Sequence, residues 1–162
     1  MEGHLGNIGV SAVIVPIWSL VVIQNVNRAS CTIDHKIVGE ISRGFCLFVG
    51  FTHDDTKERV EKMVNKLVSL RLFDDENGKT NLSLKDIGGS ILSISQFTLY
   101  ADTHKGNRPS YINALGGKEA EPLYDAFNEE LKNYVPVEEG KFGADMKIDF
   151  INDGPITIIM ER

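Results

Sequence analysis

Only two cysteines, Cys31 and Cys46, occur in 162 residues, and they form neither a CxxC pair nor a Cys/His spacing suited to a metal. A disulfide framework and a zinc site both lose their basis, and reduced thiols buried in apolar runs of a cytosolic protein are expected instead. Positive charge is scarce as well. Lys and Arg number 17 against 23 Asp and Glu, a formal net charge of −6. That balance argues against holding nucleic acid through a broad basic field, while leaving room for a local basic loop. Also missing are GxxxxGK[ST], a GxGxxG after a strand, HExxH and GxSxG. Nucleotide hydrolysis, zinc chemistry and a Ser-His-Asp triad are thereby disfavoured. No repeat, heptad pattern or low-complexity segment is present, so shape must come from packing.

Long hydrophobic runs are lacking too. The stretch Ile8 to Ile23 is almost continuously apolar but shorter than the roughly 20 residues of a bilayer span, and Pro16 breaks it. The start Met1-Glu2-Gly3-His4, with no Lys or Arg before Arg28, is unlike the positive n-region of a secretory signal. Residues 1–17 therefore read as an extension of unassigned role and 18–162 as one domain.

What is there alternates between two periods. Runs rich in Val, Ile, Phe and Thr at 19–26, 29–34, 36–41 and 45–52 read as consecutive strands. After Asp54 the spacing of Val60, Met63, Val64, Leu67 and Leu70 predicts a helix, with Asp54, Asp55 or Thr56 as its cap. Ser90 to Tyr100 reads as a long strand. A second helix is expected from about Glu119 to Tyr134, with Pro122 in its first turn, and strands at 137–142, 145–151 and 156–161 complete the pattern. The sum is a mixed α/β single domain whose sheet is large enough to curl toward a barrel.

Few side chains suggest themselves as catalysts. His4, His35, His53 and His104 are isolated in expected turns, where surface roles are the ordinary case. The loop His104-Lys105-Gly106-Asn107-Arg108 is the clearest local basic cluster. In Asn152-Asp153-Gly154-Pro155-Ile156-Thr157, Gly and Pro interrupt what otherwise reads as strand; a tight turn explains them, and so does a place where something approaches the backbone closely. Ser95-Gln96-Phe97-Thr98-Leu99 offers hydroxyl and amide groups near a strand end, a pattern that a half-buried strand produces as well.

Together with Gly140-Lys141-Phe142-Gly143-Ala144-Asp145-Met146 and Asn81-Leu82-Ser83-Leu84, these two stretches closely resemble the D-aminoacyl-tRNA deacylase family, in the same order and spacing over about Leu20 to Arg162. The resemblance implies a compact domain with a barrel-like curled sheet and two main helices, forming a homodimer with active sites at the subunit interface. It places Ser95, Gln96, Phe97 and Thr98 in the catalytic pocket. Met146 belongs to the pocket wall by the same comparison, and Asn152, Gly154, Pro155 and Thr157 to a Gly-cisPro motif inserted from the partner subunit. No cofactor and no metal is implied. The expected reaction is hydrolysis of the ester joining a D-amino acid, or glycine mischarged on tRNA-Ala, to tRNA, with L-aminoacyl groups rejected by a backbone clash. Lys105 and Arg108 are candidate tRNA contacts. Two departures each remove a cation: Gln24-Asn25-Val26 where the family carries Gln-Arg-Val, and Lys105-Gly106-Asn107-Arg108 where it carries Lys-Gly-Arg-Arg.

Two other readings remain. One is a non-catalytic nucleic-acid-binding dimer on the same fold, since fold does not fix function; relatives linked to DNA replication carry an added C-terminal tail, and the end at Arg162 favours the enzyme. A general esterase would need an activated side-chain nucleophile, which the sequence does not offer.

Overall fold

The computed structural model describes residues 18–162, so the extension expected over 1–17 lies outside the described residues. Its organising element is β1 (Leu20–Ile33), where Leu20, Val21, Ile23, Asn25 and Val26 and later Ala29, Ser30 and Cys31 are buried and the intervening Asn27 and Arg28 are exposed. Both ends of β1 have neighbours on both sides, with Asn27 and Arg28 between the paired stretches. Along one flank lies β8 (Lys147–Glu161), antiparallel from Leu20↔Glu161 to Thr32↔Lys147. Along the other, Leu20 to Val26 pair with β3 (Gly44–Gly50) and Ala29 to Ile33 pair with β2 (Lys36–Ile41). Asp34 and His35, both at positive φ, make the two-residue turn between β1 and β2, as the twist of a tight hairpin requires.

Beyond β3 the sheet continues in parallel through β6 (Ser90–Ser95) and β7 (Val137–Glu139). It curls until β2 lies against β6 and β7: a Cβ added to Gly39 would sit 3.1 Å from the Glu139 carbonyl oxygen and 3.2 Å from Leu92 Cδ1. The result is a nearly closed, barrel-like sheet in a single compact α/β domain, as expected. Inside the curl pack Val26, Ala29, Cys31, Ile41, Cys46, Leu92 and Ile94. Burial, with Cys31 as neighbour, pushes the Cys46 thiol up to about 12, leaving little thiolate to react.

The other face of the sheet is covered by α1 (Lys57–Ser69) and α2 (Gly117–Lys132). Thr56 caps α1 by accepting from the Arg59 amide, and Val60, Met63, Val64 and Leu67 form its buried stripe, as the spacing predicts. From α2, Leu123, Phe127 and Leu131 join them over Val21, Ile23, Phe45 and Leu47. A small hairpin of β4 (Arg71–Asp74) and β5 (Thr80–Ser83), which the sequence does not announce, contributes Phe73 stacked on Phe45 at 5.3 Å.

Several sequence expectations need correction. The segments 19–26 and 29–34 are one strand, because β3 hands over to β2 beside an unbroken β1. Helix α2 starts two residues earlier than expected, which places Pro122 in its second turn. Ser90 to Tyr100 is not a long strand: pairing ends at Ser95 and Phe97–Tyr100 winds into a 3₁₀ turn. The segments 145–151 and 156–161 are parts of one strand, and NDGPIT bulges from it rather than turning between two.

Candidate active site

The carboxyl ends of the parallel strands β3 and β6 open onto a cavity of about 310 Å³, within the size range of ligand sites. Its walls come from those strand ends, from Phe97 and from the 142–148 segment, with Leu115 and Ala120 behind. Register explains the position. Val49 is opposite Ser95, and the Gln96 amide makes one more bond, 2.7 Å to the Val49 carbonyl, before the chain turns away.

The turn is held from below by Tyr100, which is 1% exposed. Its hydroxyl donates to the Trp18 carbonyl at 2.6 Å and lies 3.1 Å from the carbonyl of Gly50. Burial, reinforced by the charges of Asp55 and Glu161, raises its pKa far above the usual phenol range, so it remains a neutral donor. Gly50 is required by this packing: a Cβ there would meet the Tyr100 ring at 2.8 Å and the Gln96 carbonyl oxygen at 2.9 Å. At the head of the turn the amides of Phe97 and Thr98 have no partner within it, since the first donors of any helical turn are left over.

Of the residues expected in the pocket, Ser95, Gln96, Phe97 and Met146 line this cavity. Thr98 does not; it is exposed beside the lining, where its hydroxyl accepts a hydrogen bond from the Gln96 side-chain amide. Met146 lies over Gly140, whose absent side chain leaves room for the thioether: an added Cβ would come within 2.5 Å of Met146 Sδ. Gly50 has no role in the sequence analysis, and Gly140 enters it only as the first residue of a stretch. A glycine closing an apolar strand run, and another beginning the GKFGADM stretch, were the signals available.

Ionisable groups are few. Among the described lining residues only Asp145 carries one, and Lys147 Nζ stands 3.1 Å from it. Neither His53, whose Nε2 lies 2.9 Å from the Ile112 carbonyl, nor His104, whose Nδ1 lies 2.8 Å from Asp102 Oδ1, lines the cavity. His35 occupies the β1–β2 turn, and His4 falls outside the described residues. Lys105 and Arg108 are exposed in a loop closed by Asp102 and Ser110, which exchange 2.8 Å backbone bonds. Phe97 and Tyr111 meet edge to face at 5.0 Å on the rim, Phe97 being 55% exposed.

The NDGPIT stretch lies apart from this lining. Between the pairs Gln24↔Thr157 and Val26↔Asn152, β1 has one residue and β8 has four, so Asp153, Gly154, Pro155 and Ile156 arch out of the ladder. The Gly154–Pro155 bond is cis and Gly154 has φ 116°. A Cβ on Gly154 would lie 2.7 Å from Ile156 Cγ1 and 3.0 Å from the Ile156 nitrogen, so the arch needs glycine on both counts. Asn152 ties its base, with Nδ2 donating to the carbonyls of Asn25 (3.0 Å) and Ile156 (3.1 Å). Thr157 bonds through its hydroxyl to the Gln24 side chain. Gly154 and Pro155 are exposed, and neither they, Asn152 nor Thr157 contributes to the cavity of the same chain. Asn25, where a family arginine was expected, is 3% exposed and donates to the Leu72 carbonyl at 2.8 Å, so the position carries a neutral amide into the interior.

Comparison with known proteins agrees along the length of the domain. A family model described as D-Tyr-tRNA(Tyr) deacylase matches residues 22–161. A protein of Limosilactobacillus reuteri (strain DSM 20016) named D-aminoacyl-tRNA deacylase is 56% identical over 143 residues, 88% of this chain and 99% of that one. One of the same name from Lactobacillus gasseri is 53% identical over 142 residues, 87% of this chain and 98% of that one. Among solved structures, a c-Myc DNA Unwinding Element Binding Protein superposes with TM-score 0.83 at 41% identity, covering 88% of this chain and 98% of its own. A probable eukaryotic D-amino acid tRNA deacylase superposes with TM-score 0.78 at 19% identity over 90% of this chain and all of its own, a likeness of fold.

Proposed function

The chain belongs to the D-Tyr-tRNA(Tyr) deacylase family, and on that premise we propose that it hydrolyses the ester of D-aminoacyl-tRNA, and of glycine mischarged on tRNA-Ala, while sparing L-aminoacyl esters. Water adds to the ester carbonyl, the carbon–oxygen bond to the terminal ribose breaks, the ribose oxygen takes a proton, and free amino acid and tRNA leave. The observation that carries this reading is the cavity lined by Ser95, Gln96, Phe97 and Met146, with the leading amides of the 3₁₀ turn, ahead of its first bond from Leu99 to Gln96, at its edge.

Those donors suit the oxygen that becomes negative as the carbonyl is attacked; one such donor contributes roughly a hundredfold or more in other hydrolases. The scarcity of ionisable groups in the lining favours a role for the substrate itself, with the adjacent ribose hydroxyl assisting the attack. Thr98, bonded to the Gln96 amide and without a base in the lining, is then a positioning residue and not the nucleophile.

The active unit is a homodimer. Gly154 and Pro155 of one subunit enter the cavity mouth of the other, where their backbone meets the α-carbon of the bound aminoacyl group, collides with an L side chain and admits a D side chain or hydrogen. The exposed arch supports this assignment, as do the apolar Ile151 and Ile159 on β8, 46% and 69% exposed. A thousandfold preference requires about 4 kcal/mol, within reach of a rigid backbone clash. The second reading, a non-catalytic nucleic-acid-binding dimer, draws its support from the 41% identity to a protein named for binding a DNA unwinding element.

The deciding measurement is deacylation of D-Tyr-tRNA, L-Tyr-tRNA and Gly-tRNA by wild type and Gly154→Ala. Cleavage of the D-Tyr and Gly esters with L-Tyr spared, and weaker sparing in the variant, is the expected result. Survival of all three esters with a folded dimer would transfer the case to the binding protein.

A further inference from the structure

A second surface stands out against the acidity of the chain. On α1, Arg59, Lys62 and Lys66 recur at intervals of three and four residues and so share one face. Pairing of β1 with β8 brings Arg162 beside it, the Arg162 amide donating to the Ser19 carbonyl at 3.0 Å. With Trp18 and Glu161 these four cations line a shallow hollow of about 650 Å³ in a protein of net charge −6, with Glu58 beside Lys62 and Asp55 within electrostatic reach of Arg59. The Arg59 guanidinium lies 3.9 Å from the centre of the Trp18 ring, which is itself 37% exposed. Among the described residues Lys62 has only an exposed 3.7 Å pair with Glu58, of a kind that contributes little and yields readily to another anion.

We propose that this surface is a second tRNA contact, which binds the phosphate backbone outside the terminal nucleotide. The inference rests on the aminoacyl-tRNA reading above. Stacked on an indole, a guanidinium keeps its planar fork of donors in place for phosphate oxygens, and two lysines beside it add charge without demanding a base sequence. An acidic protein partner would meet the same charges, but an aromatic plane among cations suits a nucleic acid better. The hollow adjoins the support of the cavity: the backbone carbonyl of Trp18 receives the hydroxyl of Tyr100, which ends the turn that Phe97 begins. On this proposal the terminal ester lies in the cavity and a neighbouring part of the RNA backbone on the cationic surface.

The test compares wild type with the triple variant Arg59→Gln, Lys62→Gln, Lys66→Gln, whose side chains line the hollow. Binding of uncharged tRNA is followed by fluorescence anisotropy from about 50 to 200 mM salt, and hydrolysis is measured on D-Tyr-tRNA and on D-Tyr-adenosine. Each phosphate contact contributes a slope of about 0.7 to 0.9 in log K against log salt, so the variant is expected to lose about 2 units of slope and roughly tenfold or more in tRNA affinity. Its KM for D-Tyr-tRNA rises accordingly, while D-Tyr-adenosine is cleaved at the wild-type rate. An unchanged slope and affinity overturns the proposal, and so does an equal loss on the adenosine ester, which would mean that the substitutions act through the cavity or the fold. If neither protein cleaves either ester, the hydrolase reading falls, and the salt slope still decides the fate of this surface.

Discussion

The Ser95–Thr98 turn and the Asn152–Thr157 arch are built in opposite ways. The first grows out of the end of a buried parallel strand, is tied to β3 by the Gln96 amide and is pinned from beneath by a tyrosine that is 1% exposed. The second leaves an outer strand for four residues and returns, with one asparagine side chain bridging its feet and one threonine fastening its far end. A turn supported by the core can form one wall of a pocket by itself. The exposed arch contributes nothing to the cavity of its own chain, so the role proposed for it depends on the proposed dimer. That contrast predicts that damage to the turn shows as lost rate and damage to the arch as lost discrimination.

Gly50→Ala is the strongest way to break the comparison. Its methyl group would meet the Tyr100 ring and the Gln96 carbonyl oxygen at 2.8 and 2.9 Å, and neither has room to retreat. Overpacking of this kind costs about 1–3 kcal/mol of stability. A displacement of the turn by about 1 Å would lower kcat on D-Tyr-tRNA roughly a hundredfold. Thermal unfolding and kcat measured on the same preparation check it: a stability loss with kcat intact would show that the cavity does not depend on this support.

Asn152→Ala addresses the arch. Two part-buried carbonyls, of Asn25 and Ile156, lose their donor, at a cost of about 1–2 kcal/mol. If the arch is a chirality filter, the ratio of D-Tyr to L-Tyr hydrolysis should fall about tenfold, equivalent to about 1.4 kcal/mol, while the D-Tyr rate changes by less than about threefold. A parallel fall in both rates with the ratio preserved would remove the distinction between the two regions.

How much of this was legible beforehand follows from the same contrast. Helix α1 was readable because Val60, Met63, Val64 and Leu67 carry its period and Thr56 its cap. The strands were readable as apolar runs but not as pairings. Asn27 and Arg28 look like a break in the sequence, yet they sit where one neighbour of β1 ends and the next begins, a fact about other strands. Likewise, nothing within SQFTLY distinguishes a continuing strand from a 3₁₀ turn; the choice is made by Tyr100, whose hydroxyl finds carbonyls at residues 18 and 50. The cavity-lining Ser95, Gln96, Phe97 and Met146 were readable as parts of stretches, through resemblance. Their supports, Gly50 and Gly140, were not, because a glycine reveals a close approach only when the approaching atoms are known.

Thr98→Ala yields the smallest expected effect and sharpens the description of the turn itself. The hydroxyl lies outside the cavity lining and accepts from the Gln96 amide; among the described lining residues there is no histidine, and the one carboxylate, Asp145, stands 3.1 Å from Lys147. An unactivated hydroxyl is a poor nucleophile near neutral pH. Loss of the side chain should therefore free the Gln96 amide and lower kcat less than about tenfold, the range of one neutral hydrogen bond of about 1 kcal/mol. A nucleophile behaves otherwise: without it the rate would drop about a thousandfold or more with substrate binding preserved, and an acyl-enzyme burst would precede steady turnover in the wild type. Single-turnover kinetics on D-Tyr-tRNA separate the two cases. A modest loss without a burst leaves hydrolysis to the amides and the substrate's own hydroxyl, whereas a thousandfold loss would turn a turn that positions into one that reacts.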